Sequence, residues 1–266
     1  MNRHSGKAMT RHIDFEGIEN FRDFGGYDTA CGRGLKRGVL YRSANHHRAT
    51  DADLQTLRDL GVTAIVDLRR PVERAREPSR RWPGFEGLIV ENDENSGYVD
   101  WADALKAVEE IGADWFVEDC LHFYHEAPYQ PRHLDLFSRY FRAIADTDGA
   151  VVVHCAAGKD RTGMICAFTH HIAGVHRDDI VADYLMTNDE ARILRRMETF
   201  KPWLEELTGR EVTHEAVRAA LSVQPAYLER ALDRIAAEHG SLDAYLEEAL
   251  GIDSALRAKV EAKILA

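Results

Sequence analysis

Ten consecutive residues, His154-Cys155-Ala156-Ala157-Gly158-Lys159-Asp160-Arg161-Thr162-Gly163, hold the groups that phosphoryl transfer needs, at a spacing that lets them converge. Cys155 stands six residues before Arg161, with Gly158 between them and the apolar run Ala150 to Val153 ahead. A strand entering such a turn and a helix leaving it gather backbone N–H groups at one point, and the helix start adds positive potential there. Gly158 admits an unusual backbone angle or a close oxygen approach. Arg161 offers a planar fork to two phosphate oxygens. A thiolate at Cys155, favoured by those donors, is set for in-line attack on phosphorus. The product is a cysteinyl-phosphate that water then hydrolyses. Arg161 and the amides of Ala156, Ala157, Gly158, Lys159 and Asp160 would hold the equatorial oxygens more tightly as they flatten. The Thr162 hydroxyl is placed to donate to the departing sulfur. His154 is read as an organiser of the loop rather than as the base, or simply as a packed strand-end histidine.

Two loop residues have open roles. Lys159 either raises the local field and meets a second phosphate, or is a solvated lysine. Asp160 is a candidate proton donor to the leaving oxygen or an orienter of water; the plainer alternative is a carboxylate that braces the loop. Apart from Cys155, the cysteines Cys31, Cys120 and Cys166 form no CxxC pair and read as reduced thiols.

The elements that must position these groups are visible in outline. Val39 to Tyr41 is a short strand. Thr50-Asp51 starts a helix with Leu54, Leu57 and Leu60 on one side and Gly61 as its stop. Val62 to Leu68 is a β-branched run fit for a buried parallel strand, and its polar tip carries Asp67, Arg69, Arg70 and Glu73. Gly87 to Val90 forms another strand. Residues 101–126 predict one or two helices, Pro128 and Pro131 a break, and His133 to Ala145 a further helix. Ala150 to His154 is a buried strand and Thr162 to Ile172 an apolar helix. Beyond Gly174 the pattern is helical, near 177–199, 201–207, 213–219, 224–238 and 241–249. Strands alternating with helices predict an α/β fold, a small central parallel sheet flanked by helices with further C-terminal helices packed on it. Residues 1–266 read as one domain, with 1–13 flexible, 98–132 a candidate helical lid and 175–266 the added helical part.

The formal net charge of −11 argues against nucleic acid as partner, though a few local donors can hold a phosphate inside an acidic protein. No apolar stretch has transmembrane length, and the start lacks a signal-peptide core. A monomer acting in the cytoplasm, or exported without a signal peptide of the usual form, is expected.

The loop resembles the signature of the bacterial and fungal tyrosine-phosphatase-like family. So do Asn20-Phe21-Arg22-Asp23-Phe24-Gly25-Gly26-Tyr27, Arg37 to Ser43, Leu60 to Arg69 with Glu73, Asp183-Tyr184-Leu185-Met186-Thr187-Asn188, and His239 to Leu246 with Leu250-Gly251. The resemblance implies a cysteine-phosphatase fold with a four- or five-stranded parallel sheet. It implies hydrolysis of phosphotyrosine, in some members also of phosphoserine, phosphothreonine or phosphoinositides. It makes Cys155 the nucleophile, Arg161 the phosphate ligand and Asp160 the favoured acid. Asp67 joins the catalytic groups and Arg69 the phosphate-binding ones, both beside the loop. Inorganic phosphate or vanadate is an expected ligand, and no metal or cofactor is implied. The best-known tyrosine phosphatases take their acid from a mobile Trp-Pro-Asp loop; here Trp82-Pro83-Gly84 lacks the carboxylate and reads as coincidence. Asp119 is the second candidate acid, with Glu118 and Glu126 weaker. The aromatic segment containing Tyr98, Trp101, Trp115, Phe116, Phe123, Tyr124 and Tyr129 matches the position of lids in some members, or packs permanently on the core.

The leading expectation is a cysteine-dependent protein-tyrosine phosphatase of dual or broad specificity. A phosphoinositide phosphatase is the alternative enzyme, with Arg69, Arg70, Arg74 and Arg76 as a basic cluster; the plainer reading of those arginines is a solvated helix face. A phosphate-binding module without turnover and a thiol-based arsenate reductase are the other classes.

Overall fold

The computed structural model describes residues 11–94 and 101–266. The first ten residues and Tyr98, named above for the flexible start and the lid, lie outside the described residues. Five strands form one sheet: β1 (Arg22–Asp23), β2 (Leu40–Ser43), β3 (Val62–Asp67), β4 (Leu88–Val90) and β5 (Ala150–His154). Their order is β1-β2-β5-β3-β4, so β5 lies at the centre. The last four are parallel, and β1 is an antiparallel edge strand on β2. The expected parallel sheet is therefore present with one antiparallel addition. Ser43 of β2 and Asp67 of β3 both lie opposite His154. Three strand tips thus end together, and the chain leaves β5 there into the cysteine loop. Ligand sites of parallel sheets form at such carboxyl ends.

Strand β5 is buried on both faces, which explains its unbroken apolar sequence. Val151 and Val153 point into one cluster with Phe137, Tyr140, Met164 and Phe168. Ala150 and Val152 point into another with Ile18, Phe21, Tyr41, Leu54 and Leu57. The alternation of successive side chains across a strand produces this split.

Helix α1 (Asp51–Asp59) starts at Thr50, whose hydroxyl accepts from Asp53 N while Asp53 answers to Thr50 N, a reciprocal cap. It stops before Gly61, whose φ is +69°. Helix α2 (Pro71–Arg76) follows β3, where the arginines also read as a helix face; Pro71 supplies its first residue and Glu73 caps it. The segment 101–126 forms two helices, α3 (Trp101–Ala107) and α4 (Ala113–Glu126). Pro131 begins α5 (Pro131–Asp146), because a first-turn residue needs no N–H. Helix α6 (Asp160–Ala173) leaves the cysteine loop and ends at Gly174, φ +75°.

The C-terminal third is helical, as expected, with two boundaries moved. The stretch near 177–199 divides into α7 (Arg177–Leu185) and the start of α8 (Glu190–Thr208), which runs on through Pro202. Asp189, whose side chain accepts from Arg192 N, caps α8 and sets the true break. Then come α9 (His214–Leu221), α10 (Pro225–His239), α11 (Leu242–Glu248) and an unanticipated α12 (Ser254–Ile264). Helices α3, α4, α8 and α9 share a cluster of their own, built on Leu105, Phe116, Leu204, Val212 and Val217. Among the described residues, no helix is long and apolar enough to cross a membrane.

Candidate active site

The loop between β5 and α6 is held from outside by its carbonyls. Ala156 O accepts from Asn45 N at 3.0 Å and from Asn45 Nδ2 at 3.2 Å. Asn20 Nδ2 donates to Ala157 O at 3.3 Å and to Gly158 O at 2.9 Å, and Arg42 Nη2 adds a bond to Gly158 O at 3.1 Å. In a planar trans peptide the next N–H points opposite to the carbonyl. The N–H groups of Ala157, Gly158 and Lys159 are therefore turned toward the concave side, where an anion would meet them. Gly158 sits at φ +63°, and a Cβ there would lie 2.4 Å from Ser43 O, so no larger residue fits. Asn20 is itself left-handed at φ +55°, a conformation asparagine tolerates.

Beneath the loop lies a buried charge cluster. Asp183 of α7 receives Arg42 Nη1 at 3.0 Å and Arg22 Nε at 3.5 Å, and Arg22 also donates to Asn20 Oδ1 at 2.6 Å. Burial pushes the Asp183 carboxyl up, but Arg22 and Arg42 outweigh it and hold it at about 2. Burial drives Arg22, the more loosely paired cation, down to about 10. The neighbouring Tyr184 packs on Gly163, where a Cβ would lie 2.8 Å from its ring. The glycine after Thr162 is what admits this tyrosine.

Asp67 at the β3 tip is bound by Arg69, with Nη2 at 2.7 Å and Nε at 2.9 Å, and lies 3.7 Å from His154 Nε2. Burial opposes its charge, yet His154 and Arg69 keep it well below the usual carboxylate range. Arg69 gives its other donors to Glu77 O and Ser79 Oγ. The guanidinium expected on phosphate is thus folded back on Asp67, where it braces the strand tip. His154 stacks on His46 at 4.6 Å; burial lowers its pKa, and the Asp67 carboxylate pulls the other way.

Arg161 stands in the first turn of α6 with its fork on Glu73 of α2, at 2.6 and 2.8 Å. Burial opposes the Glu73 charge, and Arg161 overrides it, leaving that carboxyl at about 2. Lys159 is buried rather than solvated. Its Nζ donates to Ala220 O, in the last turn of α9, at 2.6 Å and lies 3.6 Å from Asp160 Oδ2. Burial lowers its pKa, but Asp160 more than offsets this, so it remains an ammonium. Asp160 Oδ1 accepts from Tyr124 of α4 at 3.3 Å. Cys155 is 2% exposed at the head of the loop, and Thr162 Oγ1 is buried with no hydrogen-bond partner among the described residues.

The remaining candidates fall elsewhere or are held. Asp119 Oδ2 accepts from Trp101 Nε1 at 3.1 Å, and burial raises its pKa. Glu126 pairs with Arg234 at 2.8 Å, and Glu118 is exposed. Trp82 packs edge-on to Phe85 in the cluster beside α1. Burial pushes the thiols of Cys120 and Cys166 up to about 12, which makes both poor resolving nucleophiles. Cys31 is exposed, and its hydrogen bond to Thr29 lowers it to about 7. Among the described residues no group of three or more His, Cys, Asp or Glu could hold a metal ion. Sequence reasoning gave no role to Asn45 and none individually to Asn20, Arg42, Glu73 or Asp183, although the last four lie in or beside blocks that carried the resemblance.

A family model described as tyrosine phosphatase family matches residues 13–266. A protein of Cupriavidus necator, provisionally named a tyrosine-protein phosphatase, is 34% identical, over 92% of this chain and 86% of its own length. The triple specificity protein phosphatase PtpB of Mycobacterium tuberculosis is 31% identical, over 91% of this chain and 95% of its own. A tyrosine-protein phosphatase of Nostoc commune is 30% identical over 56% of this chain and 48% of its own.

Proposed function

The chain belongs to the tyrosine phosphatase family, and we propose that it hydrolyses phosphotyrosine and other phosphomonoesters through a cysteinyl-phosphate on Cys155. The observation that carries this reading is the outward clamping of three successive loop carbonyls by Asn20, Arg42 and Asn45, which turns the intervening amides inward around Cys155. The phosphoryl group would sit on those amides and on the Arg161 donors that Glu73 and Leu68 O leave open, Nε–H and the second Nη2 hydrogen. Glu73 holds the guanidinium flat beneath it. Cys155 Sγ attacks phosphorus, and the P–O bond to the leaving group breaks as Asp160 delivers a proton to that oxygen. Water then attacks phosphorus, its proton returns to Asp160, and the S–P bond breaks with Thr162 donating to the sulfur. Amides already aimed at the equatorial oxygens need no reorganisation at the transition state. Asp67, Arg69 and His154 keep the β3 and β5 tips in register behind the loop.

Breadth of substrate is supported by the name of the mycobacterial relative, a triple specificity phosphatase. A phosphoinositide phosphatase is the second reading, favoured by the cationic side chains of Arg70, Arg74 and Arg132 around the β3 tip; burial, with Arg161, Arg74 and Arg70 nearby, lowers Arg132 to about 10. Phosphate release from a phosphotyrosine peptide and from a soluble phosphoinositide, with wild type and C155S in parallel, tests both readings. Turnover of the peptide, abolished in C155S, is expected. Faster turnover of the headgroup would move the assignment to lipid. Phosphopeptide binding without release by the wild type would make the chain a binding module.

A further inference from the structure

Asp160 is reached by a helix that is not part of the sheet layer. Helix α4 lies on the α3–α8–α9 cluster through Phe116 and on the main core through Tyr124. The Tyr124 hydroxyl donates to Asp160 Oδ1 at 3.3 Å and lies 2.8 Å from the hydroxyl of Tyr184, on α7. Both rings are almost fully buried, at 0% and 1% exposure. A phenol has one proton. If Tyr124 gives its own to the carboxylate, it must accept the proton of Tyr184. The chain therefore has one sense, Tyr184 to Tyr124 to Asp160. Burial raises both phenols well above their ordinary range, so they stay protonated donors at neutral pH.

We propose that Tyr124, backed by Tyr184, is the positioning residue that aligns Asp160 for proton transfer to the leaving oxygen. This rests on the reading of Asp160 as the acid. With Oδ1 tied to Tyr124, Oδ2 is the oxygen that carries the transferable proton. Its nearest cation, Lys159, is 3.6 Å away and gives its short bond to Ala220 O instead. Tyr124 moves no proton in either step. It fixes the rotation of the carboxyl group, and it does so only while α4 keeps its place against α9 and α10. Gly163 belongs to the same arrangement, since it makes room for the Tyr184 ring.

The test compares kcat/KM on two substrates. A phosphotyrosine peptide has a leaving group that needs a proton, and dinitrophenyl phosphate has one that does not. Y124F is expected to lower kcat/KM for the peptide ~10-fold or more, with less than about a threefold fall for dinitrophenyl phosphate, the selective loss of a misplaced acid. Y184F, which keeps its ring on Gly163, should show the same selectivity to a smaller degree and guards against a folding defect in Y124F. The double variant Y124F/D160N should be no worse than D160N, because the tyrosine acts through the carboxylate. Equal losses on both substrates, or additive losses in the double variant, would overturn the proposal. D160N separates the two levels. If it slows both substrates alike, the acid reading fails; if it is selective while Y124F and Y184F are not, only the positioning role fails.

Discussion

Replacing Asp183 by Asn removes the one carboxylate between two buried arginines. The magnitude can be worked two ways. Depression of the carboxyl from its ordinary 3.8 to about 2 corresponds to about 2 kcal/mol of stability, at roughly 1.4 kcal/mol for each tenfold change in proton affinity. Deleting one partner of a buried ion pair, which leaves the other charge uncompensated, costs about 3–5 kcal/mol. Here Arg22 and Arg42 are both fully buried, so the upper range applies. The folded pKa lies below the unfolded one. The stabilisation is therefore complete above about pH 4 and is lost as pH falls through about 2. Urea unfolding followed by tryptophan fluorescence is expected to show D183N weaker by about 3–5 kcal/mol at pH 7 with an unchanged slope. The gap should stay constant down to about pH 4 and narrow by about 2 kcal/mol between there and about pH 2. A loss under about 1 kcal/mol, or a gap that ignores pH, would refute the idea that this carboxylate is the counter-charge beneath the loop.

Gly158→Ala should cost about 2–5 kcal/mol, the sum of left-handed strain and a fixed backbone clash, and should abolish binding of inorganic phosphate by calorimetry. Wild-type affinity in that variant would mean the loop has room that the 2.4 Å approach to Ser43 O denies. Glu73→Gln loses the carboxylate that fixes both prongs of Arg161, and kcat on a phosphotyrosine peptide should fall ~10-fold; turnover within twofold of wild type would show that packing and the 3.3 Å bond from Arg161 Nη1 to Leu68 O suffice. If 101–132 acts as a lid, vanadate should slow amide exchange in α3 and α4 while leaving β5 unchanged; unaltered exchange there would make these helices permanent packing.

The loop itself was readable because its determinants are contiguous: an apolar strand, a cysteine, a glycine and a helix start lie within 24 residues of chain, Ala150–Ala173. The strand Val62–Asp67 and the cap at Thr50 were readable for the same reason. What lay hidden depends on partners far along the chain. Arg69 is the exception: Asp67 is two residues away, and Glu77 O and Ser79 Oγ take the donors that Asp67 leaves. Nothing local says that Lys159 finds the carbonyl of Ala220, 61 residues on. The helical stretches read near 177–199 and 201–207 are joined, and α8 runs through Pro202 with Phe200 and Trp203 stacked on Trp101 on the α3 side. The antiparallel β1 is only two residues long, too short for any periodicity to register.

The three groups that grip the cysteine loop all come from residues 20–45, more than a hundred positions before it. During vectorial synthesis the grip therefore exists before the loop it will hold. The strand that delivers Cys155 must insert between β2 and β3, which are already made. The order also sets a limit on minimal phosphatases. A fragment beginning after residue 45 would contain the complete ten-residue signature and none of the donors that turn its amides inward. Transplanting the signature into another host would meet the same lack, so the transferable unit of this enzyme is the signature together with its N-terminal collar.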